Sequence, residues 1–267
     1  MTAGSPPPGS EVLTAYGLSG RPVPLAGGQG TSWRVGPAVL KPLDMEPADL
    51  AWHADVLARL RGRGDFRVSE PLPTTDNHWT TSGWTAWRYE PGAHVPGRWH
   101  DIVVVGRRLH AALADEPEPA FLAARTDRWA VGDRVAWGEL AVPLSARTAS
   151  VSALVDALRP VSLRRQLVHG DLTGNVLFDD ELPPLVIDLS PYWRPPEFAT
   201  AVVVADALVF EGADDEVLAP FLQEPSFGQC LLRALIFRAV SDQLGAPDSP
   251  VDDLFAAAAR TAIRLAT

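Results

Sequence analysis

The stretch that most constrains this chain is residues 166–190. Within it, two short apolar runs, 176–178 and 185–187, flank a polar segment that contains two prolines, and this pattern predicts a β-hairpin. Three polar side chains border these runs: Asp171, Asn175 and Asp188. The last two are expected at the open end of the hairpin, and the first in the loop that leads into it.

Two carboxylates and one amide oxygen make an oxygen-only donor set, which suits Mg²⁺ better than Zn²⁺. Such a set, with positions left open for phosphate oxygens, is typical of phosphoryl transfer. There one Asp accepts the proton of the attacking hydroxyl, and the other oxygens hold the metal. The alternative is that each residue has only a local role, because Asp, Asn and Gly are common in turns. Their joint order beside two apolar strands favours the first interpretation.

Composition limits the class of protein. The chain has 267 residues, 46% of them hydrophobic, and a net charge of −10. This length allows one large core or two modest lobes. The acidic charge argues against a nucleic-acid or membrane partner and suits a cationic small molecule better. Cys230 is the only cysteine, so no disulfide framework is expected. With no leader or spanning segment recognised, we expect a cytoplasmic protein.

Lys41 is the only lysine among 23 Lys and Arg residues. The wide planar fork of arginine cannot replace a compact ammonium in a tight phosphate site, which favours a phosphate-binding role for this lysine. The alternative is chance survival in an arginine-rich chain.

Residues 22–42 predict a strand, a glycine loop, a strand, a tight turn and a strand. With the turn at Gly36-Pro37, Val35 pairs with Ala38, and Lys41 lies opposite Ser32 beside the glycine loop. Backbone N–H groups of small residues can approach phosphates closely. The expected nucleotide-binding backbone is Gly28, Gln29, Gly30, Thr31 and Ser32.

Three motifs carry a resemblance to a known family: His169-Gly170-Asp171-Leu172, Asn175-Val176-Leu177 and Val186-Ile187-Asp188. Together they resemble the catalytic and metal loops of the aminoglycoside phosphotransferase-like branch of the protein-kinase-like superfamily. The resemblance implies Asp171 as catalytic base, and Asn175 and Asp188 as Mg²⁺ ligands. Two departures stand out. Asn175 follows Asp171 by four residues rather than the five of the kinase pattern, and Leu189-Ser190 replaces the usual residues after the metal-binding Asp.

The resemblance also implies further nucleotide contacts. The glycine loop and Lys41 resemble the nucleotide loop and the strand-three lysine of this fold. Asp55, on a helix predicted over 47–60, is the candidate to pair with Lys41, with Glu46 and Asp49 as competitors. The hinge backbone would hold the adenine through Arg88, Tyr89 and Glu90. The alternative for this segment is a simple edge strand that ends at Pro91.

Other polar residues are expected to be structural. His169 is expected to brace its loop through a backbone hydrogen bond, and His110 and Asp206 resemble structural residues of the family. Residues 192–194 could stack on an acceptor or simply pack. Further helices are predicted over 101–114, 148–158, 195–210, 216–222, 227–244 and 250–265.

We therefore expect an α+β, two-lobed protein-kinase-like fold. After a disordered tail (1–10), a small antiparallel β N-lobe (11–90) would bind nucleotide, and a mainly helical C-lobe (91–267) would carry the catalytic loop. The expected activity is transfer of phosphate from ATP or GTP, with Mg²⁺, to a hydroxyl of an aminoglycoside-like or other small molecule. The alternatives are a nucleotide-sensing or scaffolding pseudokinase, favoured by the two departures, and a structural module. The sequence indicates no oligomeric state.

Overall fold

The computed structural model describes residues 6–25 and 30–266, and these form two compact units. The first unit comprises the chain up to His94 together with residues 174–189, and the second comprises residues 95–173 and the chain from Ser190 onward. The division of lobes at residue 90 stays a prediction. The contacts add that the 174–189 segment groups with the first unit, although it lies far along the chain.

The strands and helices follow one another in a mixed order. In chain order the strands are β1 (Val23–Pro24), β2 (Trp33–Val35), β3 (Ala38–Pro42), β4 (Arg67–Val68), β5 (Pro71–Leu72), β6 (Thr80–Thr81), β7 (Trp84–Arg88), β8 (Gln166–His169), β9 (Val176–Leu177), β10 (Leu185–Val186) and β11 (Pro191–Arg194). The α-helices are α1 (Ser10–Ala15), α2 (Pro47–Arg59), α3 (Trp99–Ala112), α4 (Arg128–Ala136), α5 (Ala149–Asp156), α6 (Pro196–Phe210), α7 (Phe227–Gly245) and α8 (Val251–Ala266).

The first unit is built on an antiparallel sheet of order β1-β2-β3-β7-β5, with β6 paired to β7. The turn predicted at Gly36-Pro37 is confirmed, because Val35 pairs with Ala38 and Trp33 with Leu40. One further step of this register places Lys41 opposite Ser32, as the sequence predicted. Gly36 has a φ of 56°, a conformation that glycine adopts at little cost.

The hairpin predicted from the two apolar runs is also confirmed. Val186 pairs with Val176 in the antiparallel β9–β10 ladder, and the N–H of Ile187 donates to the carbonyl oxygen of Asn175 over 3.0 Å. Asn175 and Asp188 therefore leave the hairpin at its open end. β10 also pairs in parallel with β4, a long-range pairing that the local sequence did not indicate and that joins the hairpin to the first unit.

The second unit is a helical assembly around α6 and α7, whose residues are buried over most of their length. Helices α3, α5, α6, α7 and α8 match predicted helices to within a few residues at their ends. α4 was not predicted. Cys230 is buried in α7. None of the described helices is long and apolar enough to cross a membrane.

One local expectation needs correction. The helix predicted over 216–222 is a 3₁₀ helix over Asp215–Phe221, and Pro220 within it removes a backbone donor that an α-helix would use. The disordered tail predicted over 1–10 stays a prediction; Pro8 is buried, α1 begins at Ser10, and residues 1–5 lie outside the described residues. On α2, His53 is buried and Ala58 is exposed.

Truncation of Phe198 to alanine is expected to destabilise the chain. Phe198 is fully buried in α6, and its ring centroid lies 5.5 Å from that of Trp137 and 6.0 Å from that of Phe237. Loss of such a ring leaves a cavity and costs about 3–5 kcal/mol of unfolding free energy. Urea unfolding of the variant measures this. The matched control is Leu144→Ala, at a residue that is 83% exposed. A change of more than about 0.5 kcal/mol in its unfolding free energy would contradict the prediction.

Candidate functional site

A cavity of about 510 Å³ lies within the first unit and gathers most of the predicted site. Seven of the predicted residues line it: Ser32, Lys41, Arg88, Tyr89, Glu90, Asn175 and Asp188. Apolar side chains from both sheets form much of the remaining wall: Leu25, Val39, Leu177, Leu185 and Ile187. A pocket with an apolar wall and a few convergent polar groups is the usual form of a small-molecule or cofactor site.

Lys41, one of the cationic residues that line the cavity, pairs directly with one of the two predicted metal ligands. Lys41 Nζ donates to Oδ1 of Asp188, and it also lies 5.8 Å from the centroid of the Trp87 ring. The side chains of Lys41 and Asp188 are 24% and 44% exposed, so water screens this pair and its net contribution to stability is about 1 kcal/mol or less. A partner of opposite charge, such as a phosphate or a metal ion, can therefore replace either side at modest cost.

Asp188 has a strained backbone. Its φ is 49°, in the left-handed region that residues other than glycine rarely adopt. Strain of this kind costs of order 1–3 kcal/mol and is concentrated at functional sites. The surrounding structure therefore holds Asp188 in a conformation that it would not adopt by itself.

The predicted pairing of Lys41 with Asp55 is wrong. Asp55 lies on the exposed face of α2, and Lys41 pairs with Asp188 instead. The inner face of this helix carries His53, whose ring nitrogens lie 2.7 Å from the carbonyl oxygen of Asp49 and 3.0 Å from that of Leu189. Through His53, α2 therefore contacts the backbone of Leu189, the residue after Asp188. The Asp55 carboxylate lies on the exposed face of the helix.

The predicted hinge segment, residues 88–90, is held by hydrogen bonds within the protein. The N–H groups of Arg88 and Tyr89 donate to the carbonyl oxygens of Glu70 and Pro37, over 2.7 and 2.8 Å. Two of the three backbone donors expected to hold adenine are therefore already used within the protein. Arg67 donates to the Glu90 carboxylate over 3.2 Å, which fixes this residue in place.

The predicted glycine loop is described only in its second half. Gly28 and Gln29 lie outside the described residues. Gly30 has a φ of 68°, Thr31 is half-buried, and the carbonyl oxygen of Ser32 accepts a hydrogen bond from the N–H of Leu25 over 3.0 Å. The loop therefore returns to β1 beside the cavity.

The predicted catalytic residue, Asp171, belongs to the second unit and follows β8. Its Oδ1 accepts from Nη2 of Arg238 over 2.6 Å, and the same guanidinium donates to both carboxylate oxygens of Asp206 over 2.7 and 2.6 Å. Burial alone would lower the pKa of Arg238, but the two carboxylates raise it overall. Asp171 is therefore oriented by a permanently charged, buried partner.

Arg238 is a site residue that sequence reasoning missed. Its only signal in the sequence is a charged residue within the apolar helical segment 227–244, where a charge is unusual unless it is paired. The expectation for Asp206 as a structural acid is confirmed, since it is buried and anchors this arginine.

The two predicted structural histidines are joined by hydrogen bonds to each other and to the loop that carries Asp171. Nδ1 of His169 accepts from the N–H groups of Asp171 and Ser190, over 3.2 and 3.4 Å. Nε2 of His110 in turn accepts from the N–H of His169 over 3.1 Å. The prediction that His169 braces the loop is confirmed.

Gly170 is required by close packing against Tyr192. A Cβ atom at residue 170 would collide with the Tyr192 ring, which is buried. Tyr192 and Arg194 therefore pack inside the protein, whereas Trp193 is only half-buried. Of the two alternatives left open for this segment, packing holds for Tyr192 and Arg194.

No group of three or more His, Cys, Asp or Glu side chains within residues 6–25 and 30–266 is arranged to hold a metal ion. The amide of Asn175 and the carboxylate of Asp188 both line the cavity. A hard cation there would need further oxygen ligands from a bound molecule. This is the usual situation of Mg²⁺, which takes one or two protein ligands and completes its shell with phosphates and water.

The stability of the chain is expected to fall between pH 6.5 and pH 3 because of His110. Burial, followed by the neighbouring His169, lowers the pKa of His110 to about 3, whereas the unfolded chain binds the proton near pH 6.5. The folded state therefore loses about 1.4 kcal/mol per pH unit through this window. Urea unfolding at pH 7 and pH 5 measures the loss. His110→Gln should flatten that difference, and an equally steep loss in the variant would contradict the assignment.

Comparison with known proteins places these observations in a family. The model of the phosphotransferase enzyme family (APH) matches residues 25–229. No curated protein matches the chain by sequence.

Several solved structures share the fold. An aminoglycoside phosphotransferase from Alicyclobacillus acidocaldarius is 13% identical, with a TM-score of 0.62 over 98% of this chain and 95% of that one. A thermostable mutant of aminoglycoside phosphotransferase APH(4)-Ia, solved with ADP and hygromycin B, is 14% identical, with a TM-score of 0.61 over 96% and 97%. Choline kinase LicA from Streptococcus pneumoniae is 13% identical, with a TM-score of 0.57 over 96% of both chains. The predicted α+β, protein-kinase-like fold is confirmed.

Proposed function

We propose that this chain, which belongs to the phosphotransferase enzyme family, transfers the terminal phosphoryl group of ATP or GTP to a hydroxyl of a small molecule. One observation carries the proposal. A single cavity of the first unit is lined by the only lysine, the hinge residues and both predicted metal ligands. These are the groups that a phosphoryl-transfer site needs in order to hold a nucleotide.

The cavity offers separate surfaces for the two ends of a nucleotide. Its apolar wall, which includes Val39 and Ile187, suits a flat base, with Glu90 at the hinge. Lys41 and the backbone of Gly28 to Ser32 would bind the phosphates. Related structures support nucleotide use, since an APH(4)-Ia mutant was solved with ADP and a spectinomycin phosphotransferase with AMP.

Asn175 and Asp188 would hold Mg²⁺ through oxygen atoms, which match the preference of this cation. When bound, Mg²⁺ neutralises charge on the phosphate oxygens. The Lys41–Asp188 pair is half-exposed and screened by water, so its exchange for phosphate and metal contacts costs little free energy. In such a complex the ammonium of Lys41 turns from the carboxylate to the phosphate.

Asp171 is proposed as the residue that orients the acceptor hydroxyl and accepts its proton as the new O–P bond forms. Arg238 holds one carboxylate oxygen of Asp171, which leaves the other oxygen for the hydroxyl. Of the related proteins, one is a choline kinase, and an APH(4)-Ia mutant was solved with hygromycin B. The acidic chain suits a cationic acceptor of this kind.

A second candidate function is nucleotide sensing without turnover. Two observations favour it: Lys41 pairs directly with Asp188, and Asn175 follows Asp171 by only four residues. Such a protein would bind nucleotide and transfer nothing. Binding and turnover are therefore tested separately.

Nucleotide binding is expected to raise the midpoint of thermal unfolding in a Mg²⁺-dependent way. Ligand at a hundredfold its dissociation constant adds about 2.7 kcal/mol, or several degrees in a chain of this size. Asp188→Asn should lose the metal-dependent part, and Lys41→Ala most of the shift. Asp180→Asn, an exposed change in the turn of the same hairpin, should keep both. A shift without metal dependence favours the sensor, and no shift with ATP or GTP contradicts both functions.

Asp171→Asn is expected to lower phosphate transfer by about 10²–10⁴-fold, the usual contribution of a general base. The measurement is transfer from labelled ATP to a panel of hydroxylated compounds that includes choline and hygromycin B. Asp115→Asn, at an exposed loop residue, is the control. If the folded wild-type chain binds MgATP but transfers nothing, and its ATPase rate equals that of Asp171→Asn, the enzyme proposal fails and the sensor remains.

A further inference from the structure

A second cavity, of about 400 Å³, lies in the second unit, and none of the predicted catalytic, nucleotide-binding or metal-binding residues lines it. Four arginines contribute to its wall: Arg125, Arg134, Arg165 and Arg194. Three acidic residues do so as well: Glu118, Asp133 and Glu139. In the whole chain acidic residues outnumber Lys and Arg by 33 to 23, so this wall is less acidic than the chain as a whole.

Two of the three acidic residues are already neutralised. Arg194, which is buried, donates to both oxygens of Asp133 over 2.9 and 2.7 Å, and to both oxygens of Glu139 over 2.7 and 2.8 Å. Arg165 adds a third contact to Glu139 over 3.2 Å. Hydrogen bonds from Arg194 lower the pKa of Glu139, so it remains charged and paired. These carboxylates cannot attract a cation into the cavity.

Arg134 contributes a positive charge that no carboxylate neutralises. Its Nη2 donates to the carbonyl oxygens of Leu122 and Ala123, over 3.3 and 2.9 Å, which orients the guanidinium without cancelling its charge. Throughout the described chain, no carboxylate lies within ion-pair distance of it. Arg125, by contrast, pairs with Asp127 over 2.9 Å. A half-buried guanidinium held by neutral acceptors is well placed to receive an anion, with which it can form two parallel hydrogen bonds.

Two aromatic side chains, Tyr192 and Trp193, also line the cavity. Tyr192 is buried, and burial raises the pKa of its phenol, so the group stays neutral. Trp193 is half-buried and lines the cavity. A flat indole surface beside a cation suits a ligand that has a planar or apolar body as well as a negative charge.

We propose that this cavity is a binding site for a small anionic molecule, in which Arg134 binds a carboxylate or phosphate group and Trp193 contacts its body. The site shares no lining residue with the cavity of the first unit. The proposal does not depend on phosphoryl transfer, because it concerns binding alone.

The test uses three probes of one shape and different charge: benzoate, phenyl phosphate and benzylammonium. Calorimetric titration of the full chain should show binding of benzoate or phenyl phosphate and weaker or no binding of benzylammonium. The tighter anion identifies the headgroup. Arg134→Gln should weaken anion binding about tenfold or more, because it removes a bidentate, charge-assisted contact.

Two variants serve as matched controls. Arg108→Gln makes the same change at an exposed arginine of α3 outside the cavity, and it should leave anion binding unchanged. Lys41→Ala removes a cation of the other cavity and should leave benzoate binding unchanged. Trp193→Ala, a second variant within the cavity, should weaken benzoate but not inorganic phosphate.

Several results would overturn the proposal. They are an absence of anion binding to the wild-type chain, tighter binding of benzylammonium than of benzoate, and undiminished binding in both Arg134→Gln and Trp193→Ala. Loss of benzoate binding in Lys41→Ala would also overturn it, since benzoate would then occupy the nucleotide cavity.

Discussion

The second unit depends on one buried cation. Arg238 on α7 binds Asp206 on α6 with two hydrogen bonds and Asp171 with a third. A guanidinium withdrawn from water is costly unless all of its charge is compensated. Removal of Asp206 would therefore break two of the three hydrogen bonds that hold this buried charge, at a cost of about 3–5 kcal/mol. The two central helices and the loop of Asp171 are thus coupled through a single side chain, and the position of the proposed base follows from the packing of α6 against α7.

Arginine and lysine have different roles in this chain, for a physical reason. Arginines with rigid forks hold structural carboxylates, as Arg194 does with Asp133 and Glu139, and Arg238 with Asp206. The only lysine pairs with Asp188 in a half-exposed cavity. A planar fork fixes its partner in one geometry, whereas a compact ammonium on a flexible stem can exchange partners. The difference suits the proposed site, in which Lys41 would exchange a carboxylate for a phosphate.

Much of the first unit could be predicted from short-range patterns. The Gly36-Pro37 turn set the register that places Lys41 beside Ser32, and two apolar runs set the hairpin that carries Asn175 and Asp188. The errors concern contacts between distant segments. The Lys41–Asp55 pair was wrong because helical periodicity does not indicate how a helix is rotated against its sheet. β4 and β10 are each two residues long and lie more than a hundred residues apart in the sequence, so no local pattern predicted their pairing.

The sequence by itself determined the local geometry: which segments turn, which residues alternate across a strand, and which polar side chains leave a hairpin at the same end. These properties depend on neighbours within a few residues. The tertiary structure alone decided the partners of the charged groups. Lys41 meets Asp188 across 147 residues and Arg238 meets Asp171 across 67. Charge attracts any opposite charge, so only the packing of the whole chain determines which pairs come within hydrogen-bonding distance.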